Sequence, residues 1–220
     1  MGFTHQQVID AIKKTGIVPL FTHDSPDDAQ QVIEAAYRGG IKVFEFTNRR
    51  SNSYEVFKHL VTIKQKYSDL MLGIGTIMDA VTTQKFIDVG ADFIISPILK
   101  LEMAPVCARH QKRWIPGCAT LTKIVTAKEN GAEIIKLFPG SVLGPGFVSA
   151  IMPVIPTLQL MITGGVEPTE ANLSAWFKAG ATCVGMGSQL FTKEILAEKN
   201  WALLEQRVKE CLAIAARIRK

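Results

Sequence analysis

Glu133-Ile134-Ile135-Lys136-Leu137-Phe138-Pro139-Gly140 is a short apolar run that holds one lysine and stops at Pro-Gly. Four to six apolar residues bounded in this way read as a strand buried on both faces, the kind found in parallel sheets. The run follows Gly131-Ala132, and the same punctuation recurs at Gly39-Gly40, Gly90-Ala91 and Gly180-Ala181. In each case a helix would end on glycine just before the next strand.

Working outward from this run, strands are expected at residues 17–21, 41–46, 71–75, 92–96, 113–116, 133–138, 159–163 and 182–187. Amphipathic helices are expected between and after them, at 26–38, 54–66, 79–89, 101–110, 121–130, 145–152, 168–179 and 188–196. An extra helix (4–14) precedes the first strand, and a long one (201–218) closes the chain. Eight βα units in 220 residues predict an α/β protein, a single-domain (β/α)8 TIM barrel spanning residues 1–220. An open doubly wound sheet would usually carry Gly-x-Gly-x-x-Gly after its first strand. Here that turn is Phe21-Thr22-His23-Asp24-Ser25, without glycine.

Composition narrows the function classes. Hydrophobic residues make up 47% of the chain, which predicts a packed core. The net charge of +5 is scattered and shows no aromatic-interleaved basic patch, so nucleic acid is not an expected partner. The most apolar stretch, 148–163, is interrupted by Pro153 and Pro156, and no membrane span is expected. Met1-Gly2-Phe3-Thr4-His5 lacks a charged-then-apolar leader pattern. Cys107, Cys118, Cys183 and Cys211 contain no CxxC pair, and His5, His23, His59 and His110 show no ligand spacing. Reduced buried thiols, a cytoplasmic location, and neither metal nor cofactor are the expectations.

Barrel enzymes carry their chemistry at the C-terminal ends of the strands, and the unusual residues gather there. Strand alternation places Glu45 opposite Phe44 and Phe46, facing the barrel mouth, as a general acid/base or as the partner of a nearby cation. The same alternation sends Lys136 inward with Ile134 and Phe138. A buried ammonium loses its proton more readily, and a neutral amine attacks ketones; the other reading is a strand lysine whose head reaches solvent at a sheet edge. Strand three ends in Gly73-Ile74-Gly75-Thr76, strand four in Ser96-Pro97, and strand five in Pro116-Gly117. Thr163-Gly164-Gly165 and Gly187-Ser188 follow strands seven and eight, the usual phosphate position of this fold.

In this order these residues resemble the class I 2-keto-3-deoxy-6-phosphogluconate (KDPG) and 4-hydroxy-2-oxoglutarate (KHG) aldolases. The similarity runs over about residues 18–190 and includes Phe44-Glu45-Phe46-Thr47-Asn48-Arg49 and Lys136-Leu137-Phe138-Pro139. The resemblance implies a (β/α)8 barrel, commonly a homotrimer. It implies that Lys136 forms a Schiff base, that Glu45 is the acid/base, and that Arg49 and Thr76 hold the pyruvate part. It also implies that Pro97 and Phe138 line the substrate site, and that Gly164, Gly165 and Ser188 cradle a phosphate. A small keto acid would be cleaved to pyruvate and an aldehyde.

Three positions depart from the family: Ile98 where glycine is usual after Ser-Pro, Lys123 where glutamate is frequent, and Gln189 where tryptophan is frequent. Lys123 either adds a second cation near Lys136 or points to solvent from the first turn of the next helix. Two other functions fit the residues alone. One is a sugar-phosphate isomerase or epimerase with Glu45 as base and Lys136 as a charge clamp. The other is a non-catalytic barrel that binds a small anion.

Overall fold

The computed structural model describes residues 2–219. The elements run α1 (His5–Thr15), β1 (Ile17–Phe21), α2 (Pro26–Arg38), β2 (Val43–Thr47), α3 (Ser53–Lys64), β3 (Met71–Gly75), α4 (Ala80–Val89), β4 (Phe93–Ile95) and α5 (Met103–Arg109). They continue β5 (Arg113–Ile115), β6 (Gly117–Cys118), α6 (Leu121–Glu129), β7 (Ile135–Leu137), α7 (Gly140–Ile151), β8 (Leu160–Thr163), α8 (Glu170–Ala179), β9 (Cys183–Met186), α9 (Lys193–Ala197) and α10 (Trp201–Ile218). Every strand pairing is parallel, in the order β5-β4-β3-β2-β1-β9-β8-β7-β6.

The two ends of that order are neighbours in sequence, which closes the (β/α)8 barrel. Pro116 splits the expected fifth strand into β5, paired with β4, and β6, paired with β7. Proline lacks an N–H and cannot extend a ladder on its donor side. Its carbonyl still accepts from the Lys136 N–H at 2.9 Å, and the Cys118 carbonyl accepts from the Phe138 N–H at 3.1 Å. The seam of the barrel thus lies beside Lys136.

Alternation divides the strands into two faces. Phe44, Phe46, Leu72, Ile74, Ile94, Ile135, Leu137, Ile162 and Val184 face outward into the layer beneath the helices. Val18, Val43, Met71, Phe93, Ile95, Ile115, Ile134, Met161 and Cys183 face inward. Val8, Ile9 and Ile12 of α1 join the inward cluster and plug the N-terminal end of the barrel. Thr4 caps α1 in a reciprocal capping box with Gln7, and Gly16, at φ 71°, ends it. All four cysteines are free and buried. Burial pushes the Cys107, Cys183 and Cys211 thiols up to about 12, so they pack as small apolar groups.

The helix ends follow the expected glycines. Gly90 and Gly180 cap α4 and α8 with φ of 113° and 112°. Two helix starts differ from expectation. The helix expected at 145–152 begins at Gly140; Gly144, at φ 72° and ψ 165°, breaks it, and Pro145 opens its second half. The helix expected at 188–196 begins only at Lys193, capped by Thr192, so Ser188 lies in the turn that precedes it. Among the described residues no helix is long and apolar enough to cross a membrane.

Candidate active site

Glu45 sits two residues before Thr47, the last residue of β2 on the same inward face, and it is fully buried. Directly across the barrel mouth, Lys136 of β7 is 2% exposed, and its Nζ lies 3.6 Å from Glu45 Oε1. That separation is an ion-pair contact beyond hydrogen-bond reach. Neither carboxylate oxygen of Glu45 has a protein hydrogen-bond partner. Lys136 Nζ also stands 5.5 Å from the centre of the Phe138 ring.

The room for Glu45 comes from β3. A Cβ on Gly75 would coincide with the Glu45 carboxylate, and one on Gly73 would collide with the Phe93 ring. These glycines serve space inside the barrel, where sequence suggested close approach to a ligand. The register places Glu45 beside Gly73 and Thr47 beside Gly75.

Burial holds the Lys136 ammonium below its ordinary value of 10.5; the Glu45 carboxylate opposes that shift and the Arg49 guanidinium adds to it. The second cation acting on Lys136 is therefore Arg49. Lys123 is exposed in the first turn of α6, which settles its position in favour of solvent.

Thr76 follows β3 with φ of 61°, an uncommon conformation for a β-branched residue. Its Oγ1 accepts from Arg49 Nε at 3.3 Å. A strained residue of this kind typically costs about 1–3 kcal/mol and is held in place by its surroundings. Arg49 also lines a cleft of about 450 Å³ at the C-terminal face, together with Phe138, Gly164, Gly165 and Ser188. Gly164 and Gly165 adopt φ of 93° and 72°, and a Cβ on Gly165 would press on Ser141 at 2.9 Å. Asn172 fixes this turn, donating from Nδ2 to the Gly165 carbonyl at 3.1 Å and accepting from the Glu167 N–H at 3.0 Å.

Pro97 is half-buried but is not part of the cleft wall; its carbonyl packs against Gly117 across the barrel seam. Conversely, Thr22, Gln189 and Lys193 line the cleft. Sequence singled out Gln189 only as a departure and missed Thr22 and Lys193. Lys193 entered the expected helix as an ordinary surface lysine, and Thr22 as part of a plain turn. Among the described residues, no three His, Cys, Asp or Glu side chains form a group able to hold a metal ion.

Fold and site together describe a parallel barrel with a buried lysine–carboxylate couple beneath a glycine-walled cleft, whose wall takes Thr47 and Phe138 two residues further along each strand. The family model "KDPG and KHG aldolase" matches residues 8–207, and the chain belongs to that family. It is accordingly an aldolase, a lyase. The chain is 29% identical over 180 residues to the 2-dehydro-3-deoxy-6-phosphogalactonate aldolase of Escherichia coli (strain K12), covering 81% of this chain and 85% of that one. It is 29% identical over 161 residues to the 2-dehydro-3-deoxy-phosphogluconate aldolase of Treponema pallidum (strain Nichols), covering 73% and 75%. Among solved structures it resembles the KDPG aldolase of Legionella pneumophila with pyruvate captured at low pH as a covalent carbinolamine intermediate. That similarity has a TM-score of 0.82 at 25% identity, covering 93% of this chain and 96% of the other.

Proposed function

We propose that the protein is a Schiff-base aldolase that cleaves a 6-phosphorylated 2-keto-3-deoxy sugar acid to pyruvate and glyceraldehyde 3-phosphate. The observation that carries this reading is the buried Lys136 amine, held below its usual pKa and 3.6 Å from a carboxylate without hydrogen bonds. An amine in that state adds to the C2 ketone, and loss of water gives a protonated imine. Glu45 accepts the proton of the C4 hydroxyl as the C3–C4 bond breaks. The bonding pair moves into the imine to form an enamine, and the aldehyde leaves. Glu45 then returns the proton to C3, and water releases pyruvate from Lys136.

Arg49 is assigned to the substrate carboxylate, because a guanidinium can bind both carboxylate oxygens. The strained Thr76 orients it through the 3.3 Å hydrogen bond. Phe138 walls the pyruvate pocket beside the Lys136 amine. The turns at Gly164, Gly165 and Ser188 are assigned to the phosphate, with Lys193 as an added cation on the same cleft. A phosphate end of this kind favours the phosphorylated six-carbon acid over 4-hydroxy-2-oxoglutarate.

The protein is further proposed to be a homotrimer. Val81 and Leu101, 80% and 43% exposed, lie on neighbouring segments after β3 and β4 and give it apolar surface to bury. Light scattering should then report three times the 24.1 kDa chain mass.

The assay of the activity is pyruvate release from the phosphorylated substrate after exhaustive chelation. Turnover that survives chelation supports the imine as electron sink. Turnover lost on chelation and restored by a divalent ion would assign that task to a metal. Isomerisation of a sugar phosphate without pyruvate release would favour an isomerase or epimerase.

A further inference from the structure

Among the described residues, ten buried side-chain polar atoms lack a protein hydrogen-bond partner, and five of them cluster at the barrel mouth. Two are the oxygens of Glu45, which the proposed reaction uses. The other three are Thr22 Oγ1, Thr47 Oγ1 and Thr163 Oγ1, and all three threonines line the cleft. Thr47 is fully buried and Thr163 is 4% exposed. Buried hydroxyls are normally paired, and leaving one without a partner costs free energy. Three such hydroxyls on one cleft wall point to a ligand that supplies their partners. A threonine hydroxyl both donates and accepts, so it can meet a substrate hydroxyl in either role.

Strand order locates the group they would meet. Around the mouth the strands run β7, β8, β9, β1, β2. Lys136 stands on β7, the glycine turns follow β8 and β9, and Glu45 and Arg49 belong to β2 and its loop. Thr22 follows β1, between the turn after β9 and the β2 residues. The register pairs Phe21 with Phe46, so the next step sets Thr22 alongside Thr47. Leu20, two residues earlier, packs over Gly187, and Thr22 continues that inward row.

We infer that Thr22, backed by Thr47, is a specificity-determining residue that hydrogen-bonds the substrate hydroxyl between the cleaved bond and the phosphate. On the proposed substrate this is the C5 hydroxyl, which becomes the C2 hydroxyl of the aldehyde product. The assignment rests on the aldolase reading above and adds to it a residue that recognises the sugar chain.

The test runs the reaction in the condensation direction, with pyruvate and either D-glyceraldehyde 3-phosphate or 3-phosphopropanal, which lacks that hydroxyl. The wild type should prefer the hydroxylated aldehyde by about tenfold in kcat/KM, the scale of one hydrogen bond. Thr22→Val should bring the ratio close to one, Thr22→Ala should do the same, and Thr22→Ser should restore it. The rate of borohydride trapping with pyruvate should stay at the wild-type level in all three, which also reports that they are folded. Trapping with an unchanged aldehyde ratio in Thr22→Val and Thr22→Ala overturns the inference alone. Absence of trapping in the wild type removes the aldolase reading and this inference with it.

Discussion

Two lysine–acid couples, each with a buried carboxylate, stand at opposite ends of this barrel, and they are built differently. Near the N-terminal ends of β3 and β4, Lys64 Nζ meets Asp92 Oδ2 at 2.6 Å. That oxygen also accepts from the Leu72 N–H at 2.8 Å, and Lys64 donates to the Gly90 carbonyl at 3.0 Å. At the mouth, Lys136 and Glu45 are 3.6 Å apart, and the carboxylate accepts no hydrogen bond. The first couple has its polar atoms engaged and joins α3 to the sheet. The second leaves its carboxylate oxygens free and its ammonium poorly compensated. A buried pair with satisfied geometry supports the fold, whereas a buried pair without it is available to a substrate.

The largest expected effect concerns the mouth. Glu45→Gln keeps the shape of the side chain and removes the base. It should lower kcat by about 10²–10⁴-fold. Because that ion pair carries no hydrogen bond, its loss should cost less stability than the loss of an engaged pair. Asp92→Asn should show the reverse pattern. Breaking the engaged pair should cost about 3–5 kcal/mol of stability in urea unfolding. The folded fraction of that variant should retain wild-type kcat. If both variants lose stability equally, or both lose kcat equally, the contrast between the couples is wrong.

A subtler effect is a set of signed pH shifts. With its pKa depressed below 10.5, Lys136 has released a proton that the unfolded chain still holds up to that value. Stability attributable to this group should therefore rise with pH between the depressed value and 10.5. The rate of Lys136 reductive methylation by formaldehyde and borohydride should rise through the same window. Glu45→Gln removes the opposing carboxylate and should move the midpoint lower. Arg49→Met removes the added cation and should move it higher. Movement of the midpoint in the opposite sense in either variant would contradict the charges assigned to the site.

The smallest expected effect is at the rim. Lys193→Met should raise KM for the phosphorylated substrate several-fold, on the scale of an exposed charge contact, and should leave kcat near wild type. The loss should shrink at high salt, because exposed charges are screened. An unchanged KM at low salt would restore Lys193 to an ordinary surface lysine.

Only the mouth couple was legible in the sequence, because period-two alternation decides which side chains enter the barrel. It set Glu45 and Lys136 inward and their neighbours outward, and the observed cores agree. Helices α2 and α10 occupy the expected residues, since Ser25-Pro26 and Asn200 open them with strong local signals. The rest depended on contacts distant in sequence. The split at Pro116 follows from which neighbour each half-strand pairs with. The need for glycine at 75 is visible only once Glu45 reaches across from β2. The close approach of the Pro97 carbonyl to Gly117 likewise appears only once β4 and β5 lie side by side. Thr22 gave no local signal, since a threonine in a turn becomes informative only when its hydroxyl is buried without a partner.

The most direct test is covalent capture at the mouth couple. The protein is incubated with pyruvate and borohydride near neutral pH, digested, and read by mass spectrometry. A single reduced pyruvate adduct on Lys136 is expected, absent in Lys136→Ala, with Lys64 unlabelled in both. Label on another lysine, or no adduct at all, would contradict the assignment of Lys136 as the nucleophile.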